Sequence, residues 1–185
     1  MKTMLRRSLV LGAPAVFLPK LAVSQPAQRF IVGTYDDKRL WSVKALTFPR
    51  VLAYSPSGRL IPRDSWPTGL RSLKEQAGDA FCCVSDKPAP PGSKEPPADC
   101  KIVVYGEDIN EHFDGLRTAD GTPIRHSQLP AHRYLVVEYF ASWCAPCKPA
   151  REALLALLTK PEGQEIVAVV VDFSRRVPGK RPGAA

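Results

Sequence analysis

Neither end of this chain carries an acidic residue. Residues 1–24 hold Lys2, Arg6, Arg7 and Lys20, residues 173–185 hold Arg175, Arg176, Lys180 and Arg181, and these eight cations equal the whole net charge of +8. The central body is neutral and lacks the basic face that a nucleic-acid binder presents, so no nucleic-acid partner is expected. Long apolar runs are missing near the N-terminus: the stretch from Leu9 to Leu18 is too short to span a bilayer. No cysteine follows it, which argues against a bacterial lipoprotein. His112, His126 and His132 show no ligand spacing, and no second cysteine pair stands at zinc-finger distance from Cys144 and Cys147. Haem attachment needs histidine after the second cysteine, where this chain has Lys148. No metal and no organic cofactor is expected, and there are no internal repeats.

What is present begins with an address. MKTMLRRSLVLGAPAVFLPKLAVSQ has a basic start, a short apolar stretch and small residues at Ala22 and Ser24, the layout of a secretory signal cleaved after Ser24. Arg6-Arg7 followed by Ser-Leu-Val resembles a twin-arginine signal, with Sec export or an uncleaved anchor as the alternatives. The expected location is a bacterial periplasm or another exported compartment, where disulfides persist. The length of 185 residues, 44% apolar and 24% charged, fits one globular domain with an embellishment.

Periodicity divides the remainder. RFIVGTY, RLWSVKALTF and RVLAYSPSGRLI are rich in branched and aromatic residues and read as strands. Leu70, Leu73, Ala77 and Phe81 recur at helical spacing, with Thr68 as N-cap, and this helix runs into Cys82-Cys83. DKPAPPGSKEPPAD has five prolines in fourteen residues and reads as an exposed loop, closed by Cys100 and the strand KIVVYG. GLRTADGTPIRHSQL reads as a hairpin turning at Asp120-Gly121. Tyr134 to Phe140 and IVAVVVD are buried-type strands, joined by a helix whose apolar face holds Ala150, Leu154, Leu157 and Leu158. A crossover of this length makes a parallel βαβ unit. The expected segments are an export signal at 1–24, a β-rich region at 25–112 with the proline-rich loop at 86–99, the βαβ unit at 113–174 and a basic tail at 175–185.

The chemistry is carried by YFASWCAPCK, residues 139–148. A Cys-x-x-Cys at a helix start places the first sulfur where unpaired amides and partial positive charge stabilise a thiolate. The second sulfur lies one turn on and can attack a mixed disulfide. Cys144 is therefore the expected nucleophile and Cys147 the resolving thiol. The remaining cysteines leave alternatives. Adjacent Cys82 and Cys83 do not bond each other without strain. Cys83–Cys100 or Cys82–Cys100 would close a loop of about eighteen residues, worth roughly 3 kcal/mol. The leftover thiol is either buried and inert or a reactive third player.

VVEYFASWCAPCK resembles the active-site strand and helix start of thioredoxins, and the preceding ADGTPIRHSQLPAHRYLVVEYF is similar to the lead-in of the exported TlpA/ResA-like branch. The likeness covers roughly residues 115–172. It implies an α/β fold with a thioredoxin-like sheet and a redox-active Cys144–Cys147 disulfide. It also implies that Trp143 flanks the site and contacts partners, and that Pro146 occupies the proline position between the cysteines. Glu138 falls where thioredoxins have a buried acid, which would take the proton of Cys147. Many exported relatives have asparagine at that position.

Thioredoxins continue after the second strand of this unit with a helix, a strand opened by a cis-proline, another strand and a final helix. Here VVVDFSRRVPGKRPGAA follows, with Pro178 and Pro182 in a basic tail, so no cis-proline is assigned. Three explanations present themselves: strands from residues 30–60 pair onto the exposed edge, the sheet is completed by dimerisation, or the fold is incomplete or truncated. The last is the expectation. The expected activity is disulfide exchange with protein thiols and disulfides, with electrons from a membrane donor or another thioredoxin. The alternatives are a Cu(I) carrier and a non-catalytic interaction protein with residues 28–112 as its working part.

Overall fold

The computed structural model describes residues 28–42, 45–77, 82–85 and 108–176, with the backbone alone described at 45, 74–77 and 82–85. The export signal, the proline-rich loop, the KIVVYG segment, Cys100 and residues 177–185 lie outside these. Residues 118–122 make the expected turn: Gly121 takes φ of 86°, and the Thr118 amide donates to Thr122 O at 2.9 Å.

Two strands with side chains buried on both faces organise the rest. β6 (Tyr134–Phe140) and β7 (Ile166–Asp172) run parallel in the register Tyr134↔Ile166 to Phe140↔Asp172. Helix α4 (Cys147–Leu158) crosses between them, as the apolar spacing predicts. On the outer side of β7, β1 (Phe30–Tyr35) pairs in parallel and carries the two-residue β5 (Leu116–Arg117) antiparallel to itself. On the outer side of β6, β3 (Arg50–Tyr54) pairs antiparallel, from Arg50↔Tyr139 to Tyr54↔Leu135. The result is an α/β fold with a five-stranded mixed sheet of order β3-β6-β7-β1-β5. A second, two-stranded sheet joins β2 (Ala45–Phe48) to β4 (Cys82–Ser85).

This arrangement corrects three expectations. The free edge expected beside β6 is occupied by β3, so strands from residues 30–60 do pair onto the sheet; β1 and β3 are integral to it, and β2 lies in the second sheet. A cis-proline exists, at Phe48-Pro49 immediately ahead of β3 and upstream of the cysteines in the chain. Cys82 and Cys83 lie on a strand, since α2 (Thr68–Ala77) ends before them. The tail also begins ordered: Arg175 pairs with Asp37, and buried Arg176 donates to Leu40 O at 3.1 Å.

Alternation along β6 sends its side chains to two cores. Leu135, Val137 and Tyr139 pack with Phe48, Tyr54 and Phe173 on one face. Val136 packs on the other with Leu70 and Leu73 of α2 and Leu154 and Leu157 of α4. Each fully buried leucine contributes about 1.5–3 kcal/mol, so the contact between α2 and α4 is a main source of stability on that face. The turn after α4, a 3-10 segment at Pro161–Glu165, folds back so tightly that a Cβ on Gly163 would lie 2.1 Å from Leu157 O. Gly163→Ala should therefore lower stability by about 2 kcal/mol or more in urea unfolding. An unchanged midpoint would contradict this close approach.

Candidate active site

β6 ends at Phe140, and the chain turns through Ala141–Pro146 before α4 begins at Cys147. Two backbone bonds shape that turn: Cys144 N donates to Ala141 O and Cys147 N donates to Cys144 O, both at 3.1 Å. The neighbouring loop after β7 braces it, with Phe173 N donating to Phe140 O at 2.7 Å and Ser142 N to Ser174 Oγ at 2.8 Å. Pro146 stands at the N-cap position with φ of −65°, its ring-fixed value already helical, and is half-buried.

Both cysteines are buried, but their states differ. Cys144 is disulfide-bonded, whereas Cys147 is a free thiol. The expected Cys144–Cys147 disulfide is therefore not closed in this structure, and Cys144 is joined to another cysteine. Burial pushes the Cys147 thiol up to about 11, with the Glu138 charge adding to the effect and the Ala141 backbone and Arg151 opposing it. Cys144 Sγ lies 3.6 Å from Phe48 O. As a disulfide sulfur it has no proton to donate, so this is a packing contact. Cys83–Cys100 and Cys82–Cys100 fall outside what is described, Cys100 wholly and the other two beyond their backbones.

Glu138 is fully buried, as its place on a strand covered on both faces requires. Its Oε2 accepts from Arg151 Nε at 2.7 Å, and its Oε1 has no hydrogen-bond partner among the described residues. Burial raises the carboxyl pKa and the Arg151 charge and hydrogen bond work against that rise. Arg151 lies one turn beyond Cys147 on α4 and stacks over the Phe140 ring at 3.9 Å. An unpaired buried carboxylate is strongly unfavourable, so this guanidinium makes an ionised Glu138 tolerable in the core, where its charge acts on Cys147. The helical i, i+4 spacing from Cys147 was the available signal for Arg151. Trp143 is half-buried and packs edge-to-face on Phe48 at 5.5 Å.

Histidine at 112 gives a second buried polar group, one the missing ligand spacing does not reveal. Its ring lies between the hydroxyls of Tyr54 and Tyr139, and Tyr35 donates to its backbone O at 3.0 Å. Tyr35, His112 and Tyr139 line a cavity of about 490 Å³. This fits a structural role. Among the described residues, no group of three or more His, Cys, Asp or Glu side chains could hold a metal ion, and no helix is long and apolar enough to cross a membrane. Comparison of the chain with protein-family models, with curated proteins and with solved structures finds no match.

His112 sets a pH dependence. Burial first, then Arg50 and Arg39, lower its pKa from 6.5 to about 4. Between those values the unfolded chain binds the extra proton, so stability rises with pH. The contribution is full above 6.5 and disappears as pH falls to about 4, a span of roughly 3 kcal/mol. An NMR titration of the His112 ring should give a midpoint near 4, and a midpoint near 6.5 would contradict its burial as a neutral group.

Proposed function

We propose that the chain is a thiol–disulfide oxidoreductase built on a thioredoxin-like sheet. It exchanges disulfides with proteins in the periplasm or another exported compartment. The observation that carries this reading is the unequal state of the two motif cysteines. Cys144 is engaged in a disulfide, and Cys147 is a buried free thiol at the first helical residue of α4. Cu(I) carriage would need both thiolates free at once, and the bonded Cys144 does not favour it.

The resemblance to thioredoxins extends to strand placement once chain order is set aside. Their cis-proline strand follows the active-site unit in sequence. Here β3 precedes β6, follows cis Pro49 and lies antiparallel beside the active-site strand. The final helix of the family has its counterpart in α2, packed with α4 in one core. This placement supports reading the sheet as thioredoxin-like with its segments permuted along the chain.

In the reductive direction the Cys144 thiolate attacks one sulfur of a substrate disulfide. A Cys144–substrate bond forms and the other substrate sulfur leaves as a thiolate. Cys147 then loses its proton to Glu138 and attacks the Cys144 sulfur, forming Cys144–Cys147 and releasing the second substrate thiolate. Two electrons have passed to the substrate. Oxidised protein returns to the dithiol by the reverse exchange with a donor dithiol, for which a membrane partner or another thioredoxin serves. Oε1 of Glu138, free of other hydrogen bonds among the described residues, is the acceptor atom this scheme uses. Trp143, half-buried and backed by the Phe48 ring, is the side chain beside the site against which a partner chain docks.

Insulin reduction under a constant thiol supply tests the assignment. The wild type should accelerate it and Cys144→Ser should be inactive. Glu138→Gln should retain attack by Cys144 but slow the resolving step by roughly 10²-fold. Equal rates for wild type and Cys144→Ser would sink the enzyme reading.

A further inference from the structure

The bond at Cys144 identifies a third participant. The chain has five cysteines, Cys82, Cys83, Cys100, Cys144 and Cys147. Cys147 is free, so the sulfur bonded to Cys144 belongs to one of the first three. Sheet register discriminates between Cys82 and Cys83, the two whose backbones are described, and the test below decides against Cys100. Cys144 Sγ touches Phe48 O at 3.6 Å, and Phe48 is the β2 residue directly opposite Cys82 in β4. Residues directly opposite in an antiparallel pair share a face, with Cβ atoms about 4.5–5.5 Å apart. The Phe48 side chain belongs to the same core cluster as Cys144 and Cys147. Cys83 stands opposite Thr47 instead, one register position away from Phe48. A disulfide needs Cα atoms within about 7 Å and converging Cβ vectors, a condition that the Cys82 register position meets better than that of Cys83.

We propose that Cys82 is a third redox cysteine of this site, holding Cys144 in a disulfide that Cys147 opens. This rests on the thiol–disulfide chemistry proposed above and adds an intramolecular relay to it. The step is an isomerisation with no net change in electrons. The Cys147 thiolate attacks the Cys144 sulfur, the Cys144–Cys147 bond forms, the Cys82–Cys144 bond breaks, and Cys82 leaves as a thiolate. The proton given up by Cys147 is returned to Cys82. One disulfide and one thiol stand on each side, so no external oxidant or reductant takes part. In the bonded state the β2–β4 ribbon is tied to the active-site turn and the nucleophile is covered. In the exchanged state the ribbon is released and the motif disulfide is ready to accept electrons. The sulfur left over by a Cys82/83–Cys100 staple is, on this account, the reactive third player.

Disulfide mapping of the full chain, alkylated at low pH and digested with trypsin, tests it. Cleavage after Lys94 separates Cys100 from Cys82 and Cys83, while the latter two share a peptide and must be told apart by substitution. In Cys147→Ser the relay cannot proceed, and Cys144 should be found bonded to the Cys82/Cys83 peptide. That bond should survive in Cys147→Ser/Cys83→Ser and disappear in Cys147→Ser/Cys82→Ser. With Cys147 present, Cys82→Ser should hold Cys144 only as Cys144–Cys147. A Cys144–Cys100 bond in Cys147→Ser, or a bond that persists without Cys82, overturns the proposal. So does Cys144 found alkylated as a free thiol in oxidised Cys147→Ser. Mapping reads the relay independently of insulin reduction: an inactive protein with the expected bonds would reject the enzyme reading alone, and an active protein with the wrong bonds would reject the relay alone.

Discussion

The pairing of β3 on β6 is the constraint on which the site depends. β6 carries the cysteine turn at its C-terminal end, and without a neighbour its outer backbone edge would be open to any other strand. β3 closes that edge from Arg50↔Tyr139 to Tyr54↔Leu135. The antiparallel direction matters as much as the closure. It brings the start of β3, and with it Phe48 and Pro49, to the end of β6 where Cys144 sits. Phe48 then places its carbonyl against the sulfur, its ring against Trp143 and its strand partner Cys82 across the ribbon. One register thus assembles sheet edge, aromatic wall and third cysteine.

Electrostatics divides labour between the two motif sulfurs. Cys147 is enclosed, and burial opposes its ionisation. The same enclosure holds Glu138, whose negative charge is balanced by a single guanidinium reaching back from the next turn of α4. A thiol with a raised pKa is a poor nucleophile toward solvent disulfides but an adequate one toward a bonded Cys144 sulfur held beside it, provided a base accepts its proton. Arg151 keeps Glu138 able to serve as that base while leaving one carboxylate oxygen uncommitted. The arrangement fits the resolving role proposed for Cys147.

The β6–α4–β7 unit was legible because its signals are local. Continuous apolar runs mark strands buried on both faces, and leucines at helical spacing mark the crossover. The burial of Glu138 followed from its strand, and the hairpin at Gly121 from its dipeptide. What escaped was long-range. Nothing in RVLAY says that it pairs with a strand some eighty residues away, and antiparallel pairing leaves no trace in either strand's composition. The strand that covers the edge of β6 lies upstream of it in the chain, where no local pattern marks the pairing. Cys82 and Cys83 were assigned to the end of a helix because Phe81 extends the helical spacing of α2, yet they belong to a strand. His112 gave no signal because its partners, Tyr54 and Tyr139, come from distant strands.

The central claim is that Cys144 is the working nucleophile and Cys147 its buried resolver. Competitive alkylation of the fully reduced protein at pH 7, with the modified cysteines assigned by mass, tests it most directly. The account requires Cys144, released from its disulfide on reduction, to be labelled well before Cys147, whose thiol burial raises to about 11. Labelling of Cys147 at an equal or faster rate would contradict it.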